Sequence, residues 1–230
     1  MFEGLQETAL KSELVQAIRV LANGGILTLM VGHASVRMGD KALILGHAHK
    51  SGKTLNQVTE DDIVSIDLDG SLVEGRLAPP GERFIHSEIY RARPDVGAVV
   101  HAHPLASLPF GVAGVDVIPV FARAVPLGPR VPVLDYPGQI DTGDKGKMVA
   151  QALGSGKALL LRGHGTVVVG DTLEEACVNS FMLEMNAEVQ FRATLLGQVK
   201  AVTPEEAGVS QNARGYKPTS AWSYFVDKYA

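Results

Sequence analysis

The feature that most narrows what this chain can fold into lies between residues 26 and 103, where short apolar runs alternate with turn residues. ILTLMV (26–31), ASVR (34–37), KALIL (41–45) and IVSIDL (63–68) follow one another, with Gly39-Asp40 and Asp69-Gly70 at the reversals, and AVVHAH (98–103) is closed by Pro104. Runs of this length, bounded by Gly and Asp, read as strands joined by tight turns, so a largely antiparallel sheet is predicted. Farther on, KALLLRGHGTVVVG (157–170) gives two more apolar runs broken at Gly163-His164-Gly165.

Helical patterns frame these runs. Residues 11–23 place Leu14, Ile18 and Leu21 on one face before Asn23-Gly24-Gly25 stops the pattern. GERFIHSEIYRAR (81–93) reads as a helix entered after Pro79-Pro80 and ended by Pro94. Met148–Leu153 reads as helical, and a long helix is predicted over about 173–196, with Thr172 and Glu175 at capping-box spacing and Gly197 at the stop. The Pro- and Gly-rich stretch 105–145 resists assignment, apart from short strand candidates at VIPVFA and VPVLDY. With 230 residues, no internal repeat and no linker, the expectation is one domain over 1–230: an α/β fold with a central, mostly antiparallel sheet flanked by helices.

Composition excludes more than it assigns. A net charge of -4 gives no electrostatic reason to expect nucleic acid or an anionic membrane. No apolar run approaches the ~18 residues of a membrane span, and MFEGLQET lacks the pattern of a secretory signal. The one cysteine, Cys177, cannot form an intrachain disulfide, which suits a reducing compartment, and a cytoplasmic protein is expected.

Two His-Ala-His motifs then stand out. Alternate residues of a strand share a face, so His101 and His103 present two imidazoles side by side on the AVV-led strand. They are either two histidines on an ordinary polar face or half of a metal site. His164, uncrowded between glycines, and Glu82, one helical turn before His86, complete a set of three imidazoles and one carboxylate suited to zinc or another divalent transition ion. The second motif, at 47–49, has no β-branched lead-in. With Gly46 and Gly52 around it and Lys50 and Lys53 following, it reads either as an anion-holding loop or as a solvated one.

Over about 10–200, the chain resembles the class II (metal-dependent) aldolase and adducin-head family. The segments that carry the resemblance are ERFIHSEIYRARPDVGAVVHAHP, similar to the family's catalytic helix and metal-binding strand, and LLLRGHGTVVVGDTLEEA, similar to its third-ligand turn. The resemblance implies that His101, His103 and His164 hold one divalent ion per subunit, Zn2+ foremost with Mn2+ or Co2+ as alternatives, and that Glu82 is the catalytic acid/base. His86, one turn on, either orients Glu82 or is a hydrogen-bonded helix histidine. The family implies a homotetramer with sites at subunit interfaces, where a neighbour's C-terminal part (201–230; Tyr216, Trp222 and Tyr224 as candidates) completes the pocket.

Three departures bear on the substrate. The family's Gly-Asn-x-Ser phosphate segment is here Gly32-His33-Ala34-Ser35, its Thr-Gly turn is replaced by Gly46-His47-Ala48-His49, and its Ser-Ser pair is Pro79-Pro80. This form is similar to the branch of decarboxylases acting on hydroxylated aromatic dicarboxylates. His33, Ser35, His47, His49, Lys50 and Tyr216 are therefore expected to bind a small, non-phosphorylated carboxylate. Aldol cleavage of a hydroxy-keto acid or a sugar (phosphate) is the alternative. Epimerisation, a hydrolytic metalloenzyme and a non-catalytic adducin-like module fit the residues less well.

Overall fold

The turn residues reverse the chain where their conformational freedom predicts. A computed structural model describes residues 2–28, 31–47, 52–208 and 218–230. Eight strands lie among these residues: β1 (His33–Met38), β2 (Lys41–Leu45), β3 (Ile63–Asp67), β4 (Leu72–Glu74), β5 (Ala98–Ala102), β6 (Val133–Leu134), β7 (Ala158–Leu161) and β8 (Gly165–Gly170). They form one sheet in the order β4-β3-β2-β1-β5-β8-β7-β6. Every pairing is antiparallel except β6 with β7, so the predicted α/β architecture with a mostly antiparallel sheet is what forms.

Strand alternation splits the apolar side chains into two cores. On one face, Ala34, Val36, Leu43, Val100, Leu160 and Val168 pack beneath α1 (Phe2–Asn23), α5 (Leu173–Leu196) and the C-terminal helix α6 (Pro218–Tyr229). On the other, Ile44, Val64, Ile66, Val99, Leu159 and Val167 pack against α2 (Arg83–Ala92) and α4 (Gly143–Leu153). A short α3 (Leu108–Ala113) lies in the stretch that resisted assignment. Helices α2 and α4 touch because position 146 is glycine: a Cβ there would meet the Phe84 carbonyl oxygen at 2.4 Å.

The long helix has the bounds its sequence implies. The Thr172 hydroxyl accepts the Glu175 N–H at 3.2 Å. The reciprocal half of the box differs, since the Glu175 carboxylate accepts from the Asp171 N–H instead. ILTLMV is a correction: Ile26–Thr28 are not in a strand, because the Ile26 and Leu27 N–H groups both close onto the Leu21 carbonyl at the end of α1. Residues 117 and 131 form only an isolated bridge, and VPVLDY supplies the two-residue β6. Among the described residues, no helix is long and apolar enough to cross a membrane.

Candidate metal centre

The candidate centre forms where β5 ends, on the α2 side of the sheet. His101 pairs across the sheet with His33 on one side and Val167 on the other. Alternation turns its ring to the face that carries Val99 and Val167. His103 lies just past the strand end, its ring centroid 4.7 Å from that of His101. His164 comes from the turn between β7 and β8, its ring 5.0 Å from His101 and 5.2 Å from His103. The glycines around it have separate tasks. Gly163 turns the chain at φ +63°, and Gly165 lets β8 press on the end of β5, where a Cβ would meet the Ala102 carbonyl oxygen at 2.2 Å. The two predicted motifs, far apart in the chain, are thus brought together by one antiparallel pairing.

Glu82 reaches the same point from the start of α2. It is the residue before the first helical turn, at φ −91° and ψ 22°. Its Oε2 lies 3.3 Å from His101 Nε2 and its Oε1 3.4 Å from His164 Nε2, while Oε1 also accepts the Ile140 N–H at 2.9 Å. The ligand atoms of Glu82, His101, His103 and His164 all lie within 4.8 Å of one another.

The protonation pattern tests whether a cation fits. His101 Nδ1 stands 2.9 Å from the Thr166 carbonyl, which can only accept, so Nδ1 carries a proton and a neutral ring presents a lone pair at Nε2. That lone pair faces a carboxylate oxygen without forming a hydrogen bond, and His103 Nδ1 and His164 Nδ1 are likewise buried without partners. Two acceptors turned toward each other in a buried site are tolerated only with a proton or a metal ion between them. The donor set therefore fits a divalent transition ion held by three imidazoles and a carboxylate.

Burial pulls the Glu82 carboxyl up, but hydrogen bonds and positive charge from the His101 and His164 rings, which stand in for a cation at this point, together with the Ile140 N–H, outweigh it and hold the group well below the usual carboxylate range. Burial, with His101 and His164 close by, pushes His103 down to about 4, leaving it a neutral ligand at neutral pH.

Beside the cluster opens a cavity of about 390 Å³. His33, His47, Lys53, Glu82, His103 and Gln139 line it, so part of the second His-Ala-His motif shares a space with the first. His49, Lys50 and Tyr216 lie outside the described residues. Trp222 and Tyr224 sit on α6, which packs against the opposite face of the sheet, so within one protomer they do not reach the cavity.

Two expected residues are placed differently. His86 does not orient Glu82: its Nε2 meets His33 Nδ1 at 2.7 Å and its Nδ1 meets Ser35 Oγ at 2.6 Å. The reason is that Glu82 precedes the helix, so the one-turn spacing does not bring the two side chains together. Ser35 does not line the cavity either; it is fully buried and also bonded to the Tyr90 hydroxyl at 2.7 Å. Burial is the chief cause that pushes His86 down to about 3, and it holds His33 well below its ordinary value. Sequence reasoning missed Tyr90 and Gln139 and left Lys53, whose ammonium is tied to Asp62 at 2.6 Å, unassigned.

The class II aldolase and adducin N-terminal domain family matches residues 12–191. This chain belongs to that family. It is 27% identical over 232 residues to the 3,4-dihydroxyphthalate decarboxylase of Arthrobacter keyseri, covering 96% of this chain and 94% of that one. To the decarboxylase of the same name from Terrabacter sp. (strain DBF63) it is 29% identical over 227 residues, covering 93% and 94%. Among solved structures, L-fuculose 1-phosphate aldolase from Glaciozyma antarctica PI12 is similar with a TM-score of 0.79 at 25% identity, over 99% of this chain and 89% of that one.

Proposed function

We propose that this protein is a metal-dependent carbon–carbon lyase that decarboxylates a non-phosphorylated, hydroxylated aromatic carboxylate of the dihydroxyphthalate kind. Carbon–carbon lyase chemistry is common to the decarboxylases and the aldolase it resembles. The observation that carries the reading is the convergence of ligand atoms from His101, His103, His164 and Glu82 within 4.8 Å of one another, beside a cavity with further histidines and a lysine on its wall.

Cleaving a carbon–carbon bond leaves an electron pair that must be held. A divalent ion bound by His101, His103 and His164, with zinc the best match to this donor set, supplies Lewis-acid stabilisation of that charge. Glu82 does the proton work: ionised in the free protein, it takes the proton of a ring hydroxyl and returns it to the ring carbon that loses CO2. The Ile140 N–H holds one of its oxygens in place for both steps. His33 and His47, with His49 and Lys50 from the same loop, receive a substrate carboxylate where sugar-phosphate relatives would need phosphate donors.

The exposed apolar side chains of α5, Met185, Val189, Phe191 and Leu195, support assembly into the homotetramer typical of the family, with Tyr216 of one subunit completing a neighbour's cavity. A cytoplasmic location suits the buried, reduced Cys177. The deciding experiment is a product assay on the zinc-loaded protein: CO2 from 3,4-dihydroxyphthalate supports the reading. An aldehyde released from a hydroxy-keto acid or sugar phosphate, with no CO2 from the aromatic acid, replaces it with the aldolase reading.

A further inference from the structure

Behind the cavity, four polar side chains form a chain that crosses from β1 to α2: His33, His86, Ser35 and Tyr90, joined by contacts of 2.7, 2.6 and 2.7 Å. All four are buried, from 0% exposure for Ser35 and His86 to 7% for His33. A buried proton without an acceptor costs as much as a lost hydrogen bond, about 1–3 kcal/mol, so the direction of such a chain can be settled by placing its protons.

Three arrangements exist. If His86 Nδ1–H donates to Ser35 and Ser35 donates to Tyr90, the phenol proton has no acceptor among the described residues. If His86 and Tyr90 both donate to Ser35, the serine proton is left over. Four protons serve three contacts, and only when Tyr90 donates to Ser35 and Ser35 donates to His86 Nδ1 does the one left over fall to His33 at the cavity wall, where water or substrate can accept it, and not to a group inside the chain. His86 then carries its own proton on Nε2 and donates it to His33 Nδ1. The Arg37 guanidinium, 4.7 Å from the centre of the Tyr90 ring, favours the same direction, because a nearby cation makes the phenol a better donor.

We infer that Tyr90, Ser35 and His86 are positioning residues that fix His33 as the Nε2–H tautomer, a hydrogen-bond donor for an anionic substrate oxygen and not a metal ligand. Nδ1 of His33 being occupied, Nε2 is the one ring nitrogen it has left, and the residue lines the cavity. This explains why two imidazoles 5.2 Å apart and paired across adjacent strands divide their tasks. His101 gives its Nδ1 proton to a carbonyl and turns a lone pair inward, whereas His33 receives a proton at Nδ1 and turns an N–H inward. The inference rests on the lyase reading only for the identity of the anion.

The test is nitrogen-15 NMR on histidine-labelled, zinc-loaded protein, with a one-dimensional chain of assignments from His33→Gln and His86→Gln. The expected spectrum shows both His33 and His86 protonated at Nε2 and bare at Nδ1. A proton on Nδ1 of either ring overturns the inference, whatever reaction the protein catalyses. Ser35→Ala cuts the chain between Tyr90 and His86: a mixture of tautomers at His86 is expected, and an unchanged spectrum counts against the relay. Should that variant not fold, the wild-type spectrum still decides. Phthalate, a dicarboxylate without ring hydroxyls, is the anion probe; the His33 Nε2–H signal should move on titration, and its dissociation constant should rise about 10-fold in Ser35→Ala. No movement of that signal at saturating phthalate overturns the donor role, while loss of CO2 production alone would overturn only the proposed reaction.

Discussion

The ends of β1 and β5 lie side by side, each presenting a histidine on the same face of the sheet, and the two are prepared in opposite senses. His101 is fixed by a backbone carbonyl, Thr166, supplied by the neighbouring strand of the same ladder. His33 is fixed by side chains from another layer, through His86 on α2. A backbone partner comes with the sheet and needs no particular residue at 166. A side-chain relay needs four residue types at once. The difference teaches that identical imidazoles acquire their chemistry from the group behind them, and that the tautomer of His101 is robust to side-chain changes behind it where that of His33 is not.

The strongest break is on the β5 side. His103→Ala should abolish turnover and drop bound metal from about one ion per chain to near none, with circular dichroism unchanged, since the ring lies outside the strand. Metal analysis of the reconstituted protein checks it; a variant that keeps a full ion moves the site elsewhere. Next comes Glu82→Gln, which keeps shape and removes the titrating group. Turnover should fall ~10²–10⁴-fold with metal retained. A near-normal rate would hand proton transfer to another group.

A backbone change should cost stability on the same side. Gly165→Ala pushes a methyl toward the Ala102 carbonyl and the His103 ring, so the strand ends must part. The expected loss is about 1–3 kcal/mol in denaturant unfolding, with weaker metal affinity. Unchanged unfolding would show that β8 can shift without consequence. The smallest expected effect is on the cavity wall away from the ion. His47→Ala should raise KM for an aromatic dicarboxylate about 10-fold, with metal content and kcat little altered. Loss of the ion in that variant would mean the two His-Ala-His motifs do not divide their tasks as proposed.

What the sequence by itself determined was local. Alternation along AVVHAH and the Gly-His-Gly break place His101, His103 and His164 by rules that span a few residues, and Thr172 and Gly197 set the bounds of α5 in the same way. Glu82 joined the set from its place one turn before His86, and family resemblance added its acid/base role. What only the tertiary structure decided concerns groups that meet across layers. ILTLMV has the composition of a strand, yet the open carbonyl at the end of α1 captures its N–H groups. His86 sits one turn from Glu82 in the chain, yet Glu82 stands before the helix and bonds to Ile140, 58 residues on, while His86 turns to β1. Ser35 looks like a substrate donor until α2 covers it. The physical reason is the same in each case: a backbone pattern fixes which way a side chain points, but a buried polar group takes whatever partner the packing of separate elements brings within about 3 Å.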